Sequence, residues 1–205
     1  MCRPVAPPIL RDFVSVFDER RSTREIEPAS LHEIMNVISF VTLPRFEGTG
    51  EADSRSLRPS LSAGALHPIE PVLITWCRST RVLRYNAYLH KLELLAVSKP
   101  KYLIRLKQVY QEILPEARGT ALILLGDLGR VASHYAEPIS LLWRDAGAYL
   151  QTTALAATAY RLAFCPLGIL GNEVVAALDL NHTLVRAVGS AIIGRPKRDQ
   201  SYCGR

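Results

Sequence analysis

Two hydrophobic periods alternate along this chain, and the switches between them outline its elements. In ILRDFVSVFDER, Leu10, Phe13, Val14 and Phe17 share one face at helical spacing. SLHEIMNVISFV repeats the pattern with Ile34, Val37, Ile38 and Val41. It also carries a start signal, because Ser30 can cap and Glu33 stands three positions on, as a capping box requires. Residues 43–69 lose all period around EGTGEADSRS and read as a loop. PVLITW, RVLRYNAY and KLELLAV are expected strands, the last two joined by a turn at residues 89 and 90. KPKYLIRLKQVYQEIL is an expected basic amphipathic helix. TALILLGD is apolar almost throughout and of strand length, which places it centrally in a sheet.

The longest helical pattern runs over 139–160, where Leu142, Ala146, Tyr149, Leu150, Thr153, Ala154 and Ala157 recur three or four apart. Its alanines and Gly147 allow another backbone to come close, in a core or in a dimer. FCPLGIL then breaks the pattern. NEVVAALDL reads as a short helix and TLVRAVGSAIIG as a final strand. The sum is an α+β domain with helices packed on a sheet, and no internal repeat. Residues 1–8 read as a flexible lead, 9–198 as a single domain and 199–205 as a tail.

Composition narrows the class. At 205 residues, 48% hydrophobic and 21% charged, the chain can bury a real core and is not globally disordered. The mean hydropathy of +0.09 fits either a large single core or an interface with a second copy. Net charge is +6, with a pI of about 9.3, which favours anionic partners. The basic residues gather in two compact clusters, ERRSTR at 19–24 and GRPKR at 194–198. Such clusters suit a phosphate group better than a nucleic-acid track, and no nucleic-acid-binding signature is present. Cys2, Cys77, Cys165 and Cys203 form no CxxC pair and no metal-ligand spacing, so no metal site is expected. No secretory signal or membrane-spanning stretch is visible, and a reducing cytoplasmic setting is the default expectation.

Four segments are candidates for chemistry. Arg20, Arg21, Ser22 and Arg24 offer forked guanidinium donors and a hydroxyl that match phosphate oxygens. Arginines after a helix also satisfy its last carbonyls. Arg195, Lys197 and Arg198 follow the final strand and could join them on one phosphate, or form a plain basic surface. PSLSAGALHPIEP keeps its surface low through Ala63, Gly64 and Ala65 and offers Ser60 and Ser62. It is either a tight loop entering the sheet or a floor for a flat ligand. His67 lies inside it. His134 and Tyr135 stand side by side after GDLGR and could move a proton or orient a group. Asp127 and Asp145 are scattered carboxylates that make no catalytic pair. No GxSxG, HExxH, GxxxxGK[ST] or GxGxxG pattern occurs.

Taken in order, RRSTR, PSLSAGALHPIEPVLI, RYNAYLHKLELL, ALILLGDLGRVASHY, DAGAYLQTTALAATAYRLAFCPLGIL and a terminal IGRPK resemble the FMN-dependent nitroreductase superfamily. SAGALHP and YLHKLELL narrow the resemblance to the SagB-type branch, which includes azoline dehydrogenases. It covers residues 10–198. The resemblance implies a central mixed or antiparallel sheet flanked by helices, an intertwined homodimer, and FMN at the dimer interface. It implies that Arg20, Arg21, Ser22 and Arg24, with Arg195 and Lys197, hold the cofactor phosphate. Ser62, Ala63 and Gly64 would line the flavin ring, and Pro166, Leu167 and Gly168 would approach it from another side.

Where the branch has a Lys-Tyr pair, this chain has His134-Tyr135. The implied activity is removal of a hydride and a proton from a biosynthetic intermediate, for example an azoline on a peptide or carrier protein. Tyr135 would transfer the proton, assisted by His134, with His67 a further candidate. The competing readings are an NAD(P)H-dependent nitro or quinone reductase and a non-catalytic scaffold in a biosynthetic complex.

Overall fold

The computed structural model describes residues 11–47, 56–76, 79–87 and 89–197. The expected lead at 1–8 and tail at 199–205 lie outside them, as do Leu10, Cys2, Cys77, Cys203 and Arg198. In chain order the elements are α1 (Phe13–Glu19), β1 (Ile26–Glu27), α2 (Leu31–Thr42), β2 (Phe46–Glu47), β3 (Ser56–Leu57), β4 (Ile69–Thr75), β5 (Arg81–Asn86) and β6 (Lys91–Leu94). Then come α3 (Lys101–Ile113), β7 (Thr120–Asp127), α4 (Leu128–Ala132), α5 (Pro138–Ala159), β8 (Ala163–Leu167), α6 (Asn172–Ala177) and β9 (Val185–Pro196).

Seven strands form one sheet in the order β1–β9–β7–β4–β5–β6, with β8 also paired to β9. Every pairing is antiparallel. β7 is flanked by β4 and β9, and its first seven residues are all buried, as the unbroken apolar run of TALILLGD predicts. Alternation then splits the core in two. Leu73, Leu122, Leu124, Val188 and Ile193 face α2 and α5, whereas Val72, Ile74, Ala121, Ile123 and Ile192 face α3 and α6. Each fully buried aliphatic side chain contributes about 1.5–3 kcal/mol. The capping box at Ser30 and Glu33 forms as its spacing requires, and the turn holding His90 joins β5 to β6.

Four short strands and one face depart from the sequence expectation, β2 and β3 pairing with each other within the segment expected to be loop. FCPLGIL is not only a break, since β8 pairs with β9 from Ala163↔Gly194 to Leu167↔Ser190. Its Pro166 and its shortness hide the strand, and proline is compatible with a strand paired on one side alone. β1 is two residues long, too short to show a period. The face shared by Phe13, Val14 and Phe17 does not pack inward: these side chains are 69%, 64% and 55% exposed, and α1 buries Val16 instead. No helix among the described residues is long and apolar enough to cross a membrane.

β1 docks because two glycines leave room for Ile26, which is 1% exposed. A Cβ on Gly194 would lie 2.2 Å from the Glu27 carbonyl oxygen and 2.6 Å from the Ile26 side chain. One on Gly119 would lie 2.8 Å from Ile26. Gly194→Ala is therefore expected to lift β1 off β9 and lower the melting temperature by several degrees. Hydrogen exchange at the Lys197 amide, which donates to the Glu25 carbonyl at 3.1 Å, should accelerate in the variant. Unchanged protection there would contradict this account.

Candidate functional site

The loop between β3 and β4 is held in an unusual backbone. It makes a 3-10 turn over Ala63–Ala65, with Gly64 at φ +58°. Ala65 and His67 also have positive φ, at +55° and +47°. Such positions cost non-glycine residues about 1–3 kcal/mol each and persist only when the surroundings fix them. The fixing group is Asp145 of α5, which is 7% exposed. Its carboxylate accepts from the Ser62 hydroxyl at 2.5 Å and from the Ala63 N–H at 3.2 Å. Ser62 Oγ in turn accepts from the His67 N–H at 2.8 Å. The His67 ring is buried and donates from Nε2 to the Ser56 carbonyl at 2.7 Å, an assignment that follows from the carbonyl being acceptor only. Burial, then the nearby Arg58 charge, pushes its pKa below the ordinary histidine range, so the ring stays neutral.

The loop meets the HY pair. Asp127 caps α4 by accepting from the Arg130 N–H at 2.9 Å, and the turn after α4 presents His134 and Tyr135. The Tyr135 hydroxyl sits 2.6 Å from where a Cβ on Gly64 would be, so only glycine lets ring and loop meet so closely. Tyr135 remains 37% exposed. His134 is exposed, with Nδ1 2.9 Å from Ser133 Oγ and 3.2 Å from the Arg130 carbonyl.

A second group assembles on β9. Glu27↔Arg195 and Ile26↔Pro196 pair, and the Thr23 N–H donates to the Phe164 carbonyl at 3.2 Å. RRSTR and Arg195–Lys197 thereby meet at one end of β9, although the sequence separates them widely, while Pro166 and Leu167 lie beside the middle of that strand. Pro166 is opposite Ala191, four residues before Arg195, or about 13 Å along the strand. Arg24 lies close enough to the buried Cys165 for its charge to offset part of the burial that pushes the thiol pKa up. A Cβ on Gly168 would meet nothing within 4 Å, leaving its backbone open.

Not every predicted phosphate ligand is free. Arg195 makes a forked pair with Glu33, both contacts at 3.0 Å. Lys197 Nζ is 4.0 Å from Glu25. Arg21 and Thr23 line a cleft that Arg20, Ser22 and Arg24 do not line. Among the described residues, no hydrogen bond or ion pair joins this group to the Ser62–Gly64 loop. No cluster of three or more metal-ligating side chains occurs among them either.

Sequence reasoning overlooked Asp145, Ser56 and Glu33 as organisers. Asp145 carried a signal, since a carboxylate amid the alanines of an apolar helix needs a partner. Ser56 lay in an aperiodic loop, and Glu33 was fully accounted for by its cap.

No family model and no curated protein matches the chain. Solved structures do. A protein designated a nitroreductase from Ralstonia eutropha JMP134 superposes with a TM-score of 0.69 at 18% identity, over 92% of this chain and 85% of its own. A chain of the E. coli microcin synthetase McbBCD complex with truncated pro-MccB17 bound gives 0.66 at 18% identity, over 97% and 78%. A protein designated a nitroreductase from Desulfovibrio desulfuricans, solved in complex with FMN, gives 0.59 at 18% identity, over 96% and 93%. The fold is thus nitroreductase-like: an α+β architecture with a central antiparallel sheet flanked by helices.

Two outcomes follow from the loop anchors. Asp145→Ala leaves the Ser62 hydroxyl and the Ala63 N–H without their acceptor and is expected to cost about 2 kcal/mol in urea unfolding. A cost near zero would show that the loop holds itself. For His67 the folded pKa lies below the unfolded value near 6.5, so the unfolded state takes up its proton first as pH falls. Its contribution to stability is complete above about pH 6.5 and shrinks as pH drops through that value towards the folded pKa. Unfolding measured from pH 7.5 to 5 should show this slope in the wild type and a shallower one in His67→Gln.

Proposed function

We propose that the chain is an FMN-dependent oxidoreductase of the nitroreductase type, working as a homodimer. The observation that carries this reading is the meeting of RRSTR and Arg195–Lys197 at one end of β9, with Pro166–Leu167 further along the same strand. It occurs in a fold shared with a protein solved in complex with FMN. The residues fit that cofactor. Arg20, Ser22, Arg24 and Lys197 would hold the phosphate, and Arg195 would reach it by exchanging its pair with Glu33. The open backbone at Gly168 and the low surface of Ser62, Ala63 and Gly64 would contact the flat ring without side chains in the way. FMN, when bound, supplies a ring that carries two electrons and a proton between donor and acceptor.

The remaining chemistry belongs to this chain. Tyr135 offers an exposed hydroxyl against Gly64, where it can hold or move a proton at the edge of the ring floor. His134 stands beside it, accessible to solvent. The neutral, hydrogen-bonded His67 holds the loop. The second copy accounts for two features at once. It would cover Phe13, Val14 and Phe17, together with Trp143 and the bare Gly147 of α5. It would also bring one chain's Ser62–Gly64 loop towards its partner's β9 group.

Reduction is the better supported direction, with electrons taken from NAD(P)H and passed to a nitro or quinone acceptor. Several of the similar solved structures are named for nitroreductases or NADH-linked enzymes. A second reading is dehydrogenation of an azoline or related ring on a peptide or carrier-bound substrate. The likeness to the microcin synthetase complex with a bound pro-peptide favours it.

Purified protein is expected to show flavin absorbance or acquire it with added FMN, and to sediment at twice the chain mass. No flavin bands after reconstitution would leave the scaffold reading. In stopped flow, NADH or NADPH should bleach the bound flavin within seconds. Bleaching by an azoline peptide alone would select the dehydrogenase. Tyr135→Phe should keep FMN and slow turnover at least tenfold; unaltered kinetics would remove Tyr135 from proton transfer.

A further inference from the structure

Within RRSTR, Arg21 and Thr23 line a cleft of about 400 Å³ that Arg20, Ser22 and Arg24 do not line. Three arginines from three places in the chain meet there. Arg11 precedes α1, Arg21 follows it, and Arg161 occupies the turn between α5 and β8. Leu162, Ala163 and Pro196 form an apolar wall. Glu19 is the one acid in the lining, against three guanidinium groups.

The arginines are held differently. Arg11 is largely buried, at 14% side-chain exposure, and ion-pairs with Glu19 while donating to the Thr158 carbonyl at 3.3 Å. Among the described residues, Arg21 donates only its Nε, to the Glu19 carbonyl at 3.4 Å. Arg161 has no hydrogen-bond or ion-pair partner for its guanidinium among the described residues. Its backbone is the informative part. α5 ends with the Leu162 N–H on the Ala157 carbonyl and the Arg161 N–H on the Thr158 carbonyl, at 2.8 and 3.0 Å. That pattern places a left-handed residue at Arg161, where glycine is the favoured occupant. Arg161 sits there at φ +57°. An arginine kept at a strained position, with no partner among the described residues and its charge on a cleft, serves a bound group better than it serves the helix. Satisfying the carbonyls of α5 does not explain it, because Arg11 does that.

We propose that this cleft is a second anion site, distinct from the phosphate site proposed for Arg20, Ser22, Arg24 and Lys197, none of which lines it. It would take a phosphorylated small molecule through Arg11, Arg21 and Arg161. Three guanidinium forks arriving from different directions, with the Thr23 hydroxyl, match tetrahedral phosphate oxygens better than one planar carboxylate. The apolar wall would receive the body of the ligand.

Calorimetric titration of inorganic pyrophosphate into FMN-saturated protein tests this, because the cofactor's phosphate site is then filled. The expected result is saturable binding at one site per chain, weakened by salt. Arg161→Gly should lower the affinity about tenfold or more. It should hold or raise the melting temperature, since glycine is at ease at that φ. Arg21→Ala should weaken binding as well. Absence of saturable binding, equal affinity in Arg161→Gly, or equal binding of succinate would each overturn the proposal. If the protein takes up no FMN, the same titration runs on the protein as purified. Loss of the flavin reading and loss of this one are then seen separately.

Discussion

The register of β9 is the constraint on which the rest of the structure depends. This one strand carries β7 along most of its length, β8 over Ser190–Gly194, and β1 at its end. A slip of one residue would turn Ile192 and Ile193 to the wrong sides of the sheet and expose one core or the other. The cores therefore fix the register, and the register fixes which basic residues meet. The tightest point is Ile26 between Gly119 and Gly194, where no side chain larger than hydrogen fits. Positioning of RRSTR is thus a packing property, set by two glycines that carry no chemistry.

The Ser62–Gly64 loop obeys a different logic. Its backbone is strained at Ala65 and His67, and local propensity cannot hold it there. A buried carboxylate on a helix far along the chain does so, with the ring of His67 on the Ser56 carbonyl. Buried polar networks of this kind stabilise only when every member is satisfied. Asp145 meets that condition by spending both oxygens on the loop.

Much of the fold was legible in the sequence because its long elements have clear periods. The capping box at Ser30, the central run of β7 and the long α5 all follow from local patterns that tertiary contacts reinforce. β8 and β1 escaped because a five-residue strand containing proline and a two-residue strand have no period to read; their partners alone define them. The face of α1 was legible as a face, but its direction was not, since periodicity says which residues lie together and not what covers them. Of the site, the basic clusters and the small-residue loop were visible as composition. Asp145 was visible only as an anomaly, and the cleft that takes in Arg21 but not Arg20, Ser22 or Arg24 is formed by residues far apart in the chain.

The pairing of Ile26 with Pro196 joins residues near opposite ends of the described chain. Closing so long a loop carries an entropic cost that is offset only once its contacts form. RRSTR docks against β8 and β9, which are made well after it. The basic groove therefore needs both strands in place, and an anion that fits it would recognise a finished molecule and ignore a partial one. A chain in which β7, β4 and β5 have folded but β9 has not would offer that anion scattered arginines and no site.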